Sequence, residues 1–216
     1  MTSPTDLGEN LTLPDSTFNI GGGWTITSSL AKSQNAFGGE TPGPGHSAMT
    51  FVLPTCEAAI TAAGANGIFD GTLLLSMAYH ESRLNPRAFV AGGLAQVPVR
   101  GIVQFRYDTG TKGVSPPIID FYNPADSLYA AAKYLKFCWN QYASVSDPKR
   151  RLAYAVMGYN AGPGTPVSVH DSGTRKNYIN GKVTKISSKQ YAKEIDRVYK
   201  KFAGLPLYSI AAMKFV

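Results

Sequence analysis

Three short segments carry side chains able to do chemistry. Glu81 stands in Glu81-Ser82-Arg83-Leu84-Asn85-Pro86, at the end of a mostly apolar run. Leu74, Met77 and Ala78 precede it at helical spacing, so on a helix they share its face. An apolar face disfavours a charged carboxylate, and a carboxyl that keeps its proton near neutral pH can serve as a general acid. The plainer reading is a surface glutamate at a helix end, the usual fate of that residue. Gly101-Ile102-Val103-Gln104-Phe105 offers an amide that can donate and accept; the plainer reading is an amide that satisfies a loop. Gly158-Tyr159-Asn160-Ala161-Gly162-Pro163-Gly164 ends an apolar run in a Gly/Pro-rich turn, where a phenol and an amide meet. A core tyrosine beside a helix-capping asparagine would look the same.

In this order the three segments resemble the lysozyme-like lytic transglycosylases, the glycosidase family that includes goose-type lysozymes. Members carry E-S-x-x-N-P, then G-[LI]-[MV]-Q, then Y-N-A-G-P-G, and the likeness runs over about residues 55–203. It implies an α+β, mainly helical, lysozyme-like fold with a few short strands and no cofactor. It also implies cleavage of the MurNAc–GlcNAc β-1,4 bond of bacterial peptidoglycan. In the family one glutamate is both acid and base, and the product carries a 1,6-anhydro ring; Glu81 matches that residue. Ser82 is expected to fix the local backbone or bond to the carboxyl. Gln104, Tyr159 and Asn160 match sugar-site positions, and Tyr191 matches a tyrosine bordering the cleft, although its apolar stripe suits a core role nearly as well.

Two details stay open at this point. Gly93-Leu94-Ala95-Gln96 also resembles the middle segment. Gln104 fits better because Thr109 and Asn123-Pro124 follow at the family's spacing; residues 91–100 would then be an insertion. Val90 stands where the family often has a serine near the acetamido group. A lysozyme-type hydrolase would need a second carboxylate. Asp70, Asp108 and Asp126 read as helix caps or first-turn acids, and Asp120 has no clear role, so none has a claim to be that partner. Hydrolysis on the same fold, and a virion structural protein that uses the fold to bind the wall, are the alternatives.

Other chemistries fail on spacing. Residue 84 is leucine, so His80-Glu81 does not open an H-E-x-x-H zinc motif. His46, His80 and His170 are scattered, and no G-x-S-x-G or phosphate loop occurs. Cys56 and Cys138 form no C-x-x-C pair and are expected to be buried free thiols. The 216 residues carry net charge +7, which suits an anionic polymer or simply keeps the chain soluble. No nucleic-acid motif accompanies that charge, and no apolar run reaches membrane-spanning length. The N-terminus lacks the pattern of a secretory signal. The expectation is therefore a phage product, virion-associated or released to the host periplasm.

The elements that must position these groups follow from local signals. Residues 1–50 are rich in Gly, Ser, Thr and Pro and read as an extended arm, able to dock other virion or lysis proteins. Residues 51–204 form the catalytic domain, and 205–216 an apolar tail. Pro54 should open a helix through Ala63. Asp70 should cap a helix over 71–81. Asn123-Pro124 should start one running to about 142, and Asp147-Pro148 one running to about 157, with Tyr159 and Asn160 beyond its end. Ser187 and Gln190 should form a capping box for the last helix. Asn180-Gly181 reads as a hairpin turn, and residues 88–104 could hold a short β-ribbon.

Overall fold

The computed structural model describes residues 17–21, 24–27, 47–84, 86, 88–90, 99–114, 117–118, 120–176 and 183–203. The fold is α+β and mainly helical, as the sequence predicts. The chain forms two compact units, Met1–Lys133 and Tyr134–Val216. Gln96, the Asn180-Gly181 turn and the 205–216 tail lie outside the described residues.

In the first unit, strands β1 (Thr17–Gly21) and β2 (Trp24–Thr27) pair antiparallel within the segment expected to be an arm. Helix α1 spans Ser47–Ala62, with Pro54 inside it, not at its start. Proline's φ suits a helix, and although its ring loses the bond to the carbonyl one turn back and crowds that oxygen, the helix carries on through it. It therefore marks a start only when nothing upstream continues the turn. Helix α2 (Gly71–Ser82) packs on α1 and begins at Asp70, whose side chain accepts from the Leu73 N–H at 2.9 Å. A three-stranded antiparallel sheet follows, ordered β3 (Phe89–Val90), β4 (Val99–Arg100), β5 (Phe105–Arg106). It is the short ribbon expected over 88–104, extended by one strand. Helix α3 (Tyr107–Lys112) comes next. Helix α4 (Pro124–Gln141) starts where Asn123 Oδ1 accepts from the Ala125 N–H at 2.9 Å.

The second unit holds α5 (Pro148–Ala161), α6 (Val167–Ser172), a hairpin of β6 (Thr174–Lys176) and β7 (Val183–Lys185), and α7 (Ser188–Ala203). Asp147 caps α5, accepting from the Lys149 and Arg150 N–H groups at 2.9 and 3.3 Å. Helix α5 packs on α7. The expected capping box at α7 does not form. The Ser187 hydroxyl donates to Asn160 and the Gln190 amide to Glu194, so both side chains that would have closed the box are drawn elsewhere.

The apolar stripe of α4 is buried as its periodicity predicts, with Leu128, Ala131, Leu135 and Cys138 fully enclosed. Cys56 and Cys138 are both free and buried. Burial pushes the Cys56 thiol far up, and the Cys138 thiol up to about 12. The thiolate is the reactive species, so the native protein should resist alkylation by iodoacetamide at pH 8 and take up two labels in denaturant. Native labelling at the rate of a free thiol would contradict this. Among the described residues no helix is long and apolar enough to cross a membrane.

Candidate active site

Glu81 is the penultimate residue of α2 and is partly exposed. Leu74, Met77 and Ala78 on its face are fully buried. The helix stops abruptly after it. Arg83 has φ 55° and Leu84 φ 64°, two successive left-handed residues without a glycine. Several contacts hold this break. The Arg83 N–H bonds to the Tyr79 carbonyl at 2.9 Å, and its Nη1 reaches the same oxygen at 3.1 Å. Its guanidinium lies over the Tyr79 ring, 4.6 Å from the centroid, a cation–π contact. Leu84 is fully buried, so its apolar side chain anchors the second strained residue.

Ser82 lies beneath Glu81 and is fully buried. Its hydroxyl sits 3.2 Å from the Ala78 carbonyl and 2.7 Å from the Ile102 carbonyl. The second bond ties the end of α2 to the Gly101–Phe105 segment. So enclosed, the Ser82 hydroxyl reaches backbone carbonyls and fixes the end of α2.

The Gly101–Gln104 turn is built on close contacts. Gly101 has φ +77°, and a Cβ there would sit 2.0 Å from the Phe121 carbonyl oxygen. Only glycine fits. Gln104 has φ 49°. Its Nε2 donates to the carbonyls of Ala88 at 3.0 Å and Gly101 at 2.8 Å, which uses both amide protons. Its Oε1 is buried and takes no hydrogen bond from the described residues. The amide expected to donate and accept thus has only its acceptor left. Arg83, Leu84 and Gln104 are the non-glycine residues with positive φ among the described residues, and all lie in two of the three motif segments. Strain of this kind gathers where surroundings hold a backbone for function.

Truncating the amide gives a measurable result. Gln104→Ala leaves the Ala88 and Gly101 carbonyls without their donor, so it should cost about 1–3 kcal/mol of stability and lower wall lysis with it. Gln96→Ala should do less on both counts. Urea melts and turbidity assays of the two variants check this, and greater damage from Gln96→Ala would reverse the assignment of the middle motif.

In the second unit, Tyr159 and Asn160 lie within the last turn of α5, not beyond it. The helix runs on to Ala161 and is stopped by Gly162, whose φ of 98° no L side chain readily adopts. The partly buried Tyr159 ring meets Tyr134 edge-on, with centroids 5.4 Å apart. Asn160 is exposed, and its Oδ1 accepts from the Ser187 hydroxyl at 3.4 Å. Tyr191 is buried at 6% exposure, which favours the core role over a cleft wall.

A buried network that sequence reasoning missed braces this segment. A Cβ on Gly158 would sit 2.9 Å from the Tyr142 hydroxyl, so the first residue of the motif is the seat of that ring. The Tyr142 hydroxyl lies 2.9 Å from the Thr165 carbonyl and 2.8 Å from His170 Nε2. His170 is fully buried, and its Nδ1 lies 3.0 Å from the Ser188 hydroxyl. One assignment satisfies every group: Tyr142 donates to Thr165, His170 Nε2 donates to Tyr142, and Ser188 donates to Nδ1. Beside it, the Tyr154 hydroxyl donates to Asp171 at 2.6 Å and accepts from Arg150. No local pattern announces these contacts, because the partners of His170 lie 18 and 28 residues away in sequence.

Three of the described carboxylates of the first unit are engaged locally. Asp70 caps α2, Asp120 accepts from the Tyr122 N–H at 2.8 Å, and Asp108 pairs with Arg106 at 3.0 Å. Asp126 sits in the first turn of α4. Among the described residues no group of His, Cys, Asp or Glu could hold a metal ion.

The family model of the transglycosylase SLT domain matches residues 58–182. That span takes in Glu81, Ser82, Gln104, Tyr159 and Asn160 and leaves Tyr191 outside. No curated protein matches the chain.

Proposed function

Because the chain belongs to the transglycosylase SLT domain family, we propose that Glu81 is the single general acid and base of a reaction on the MurNAc–GlcNAc β-1,4 bond. Membership makes the protein a lytic transglycosylase that degrades peptidoglycan. The finer reading is as follows. The Glu81 carboxyl gives its proton to the glycosidic oxygen as the C1–O bond breaks. The substrate's own N-acetyl oxygen supports the developing positive charge at C1. The Glu81 carboxylate then takes the proton of the C6 hydroxyl as that oxygen bonds to C1. This closes the 1,6-anhydro ring and restores the acid.

The observation that carries this reading is the setting of Glu81. It ends a helix on a face of fully buried apolar side chains, and a strained backbone follows at once. Ser82 holds that end of the helix against the glutamine turn. Asn160 offers a polar side chain exposed at the end of α5. The local engagements of Asp70, Asp108 and Asp120 support a scheme with one carboxylate over hydrolysis by a pair. Mass spectrometry of muropeptides released from purified sacculi tests it. Products ending in 1,6-anhydroMurNAc are expected. Reducing ends would show lysozyme-type hydrolysis, and no release would leave a wall-binding role.

A further inference from the structure

Among the described residues, Phe137 and Val183 are the large apolar side chains that stand exposed, at 45% and 60%. Such residues scattered singly are ordinary. Phe137 is not single. It lies on α4, where its ring meets that of Tyr134 one turn earlier, with centroids 6.4 Å apart and planes tilted by 30°. Tyr134 in turn meets Tyr159 edge-on at 5.4 Å. Both tyrosines are partly exposed. Three rings in succession therefore connect the motif residue Tyr159 to Phe137, all within the second unit, and the exposed Asn160 follows Tyr159 directly.

The neighbours of Phe137 suit one kind of ligand. Asn140 and Gln141 stand three and four residues on, one turn along the same face, and both are exposed. Helical side chains lean toward the N-terminus, which puts both amides on the Phe137 side of their own turn. An amide offers donors and an acceptor together. An apolar ring bordered by amides matches a pyranose. The C–H groups on one face of the sugar carry slight positive charge and meet the negative face of an aromatic ring. The hydroxyl and N-acetyl groups at the sugar's edge then take the hydrogen bonds. The area agrees with this. Nearly half of a phenylalanine side chain exposes on the order of 100 Å², enough for the face of one sugar. A stable protein interface buries far more, roughly 800 Å² on each partner.

We propose that Phe137 is the stacking platform of a further sugar subsite for the glycan strand of peptidoglycan. While one N-acetyl sugar engages Asn160, another sugar of the same strand lies on the Phe137 ring, and the amides of Asn140 and Gln141 bond to its edge. Tyr134 packs against both neighbouring rings and so fixes the spacing of the two contacts. The proposal rests on the reading of Asn160 as a sugar contact and adds the residue that grips the strand beyond that sugar.

The test is calorimetric titration of the full chain with soluble glycan strands freed of their peptides, so that sugars alone are presented. Every chain titrated, the parent included, carries Glu81→Gln, so that no strand is cut. Phe137→Gln should bind the strands roughly three- to tenfold more weakly. The factor should be the same at low and high salt, since screening acts on charges and not on an apolar contact. Phe137→Trp should bind at least as tightly as the parent. Val183→Gln, which removes the other exposed apolar side chain, should bind as the parent does. Circular dichroism should show all of them folded alike. Equal binding by Phe137→Gln and the parent would overturn the proposal. So would an equal loss in Phe137→Trp, which would give the position a packing role instead of a stacking one. Sedimentation velocity is run alongside, and self-association of the parent that Phe137→Gln abolishes would assign the ring to a second copy and overturn the proposal too. Asn160→Ala separates the two readings. Weaker binding there with none in Phe137→Gln removes the platform alone, whereas no loss in either variant removes the sugar site as a whole.

Discussion

Glu81→Gln should abolish wall lysis and leave the fold intact. The substitution keeps the shape of the side chain and removes the transferable proton. Glu81 sits at the partly exposed end of α2, while the packing is carried by Leu74, Met77 and Ala78 beneath it. Thermal stability should therefore stay close to that of the parent. Loss of general acid–base help alone is worth roughly 10²–10⁴ in rate. Here one group would act in both steps, so the upper end is expected. Turbidity loss of purified sacculi and release of anhydro-muropeptides measure it. Retention of more than about a tenth of parental activity, against that range, would move the acid elsewhere.

Gly101→Ala should be the most damaging small substitution in the first unit. Two effects add. At φ +77° an alanine is strained by about 1–2 kcal/mol. Its Cβ would also lie 2.0 Å from the Phe121 carbonyl oxygen and 3.2 Å from Ser127 Oγ. The Ser127 hydroxyl already donates to that carbonyl at 2.8 Å, so the oxygen cannot yield without losing a buried bond. A total on the order of 4 kcal/mol is expected, with lysis lost as Gln104 moves. Gly67 supplies the control. Its φ is +79°, yet a Cβ there meets nothing within 4 Å. Gly67→Ala should show the backbone strain alone, about 1–2 kcal/mol. Urea melts of the two variants separate the effects. If they lose equal stability, the contact with Phe121 does not constrain the turn.

Much of the secondary structure was legible along the chain because its causes are local. Asp70, Asn123 and Asp147 cap helices through bonds to N–H groups two or three residues on. The stripe from Leu128 to Cys138 repeats at the helical period and is buried accordingly. The three motif segments, read in order, pointed to the family that the domain match identifies. Where a local signal competed with a longer-range partner, the prediction failed. Ser187 gave its hydroxyl to Asn160, 27 residues away, and not to a capping box. Helix α5 ran through Tyr159 and Asn160 because nothing in those residues forbids a helix before Gly162.

The sequence by itself determined which residues were available for chemistry and which helix carried the carboxylate, since type and period need no partner to be read. Only the tertiary structure decided how they are held. Ser82 binds the Ile102 carbonyl 20 residues on, and Gln104 spends both amide protons on Ala88 and Gly101. Gly101 is glycine because Phe121 crosses it, and Gly158 because Tyr142 does. His170, scattered by its spacing, proves to be the buried link between Tyr142 and Ser188. The physical reason is common to all of these. A close approach or a buried hydrogen bond depends on the shape and the unmet polar groups of a distant segment, and neither exists until the chain has packed.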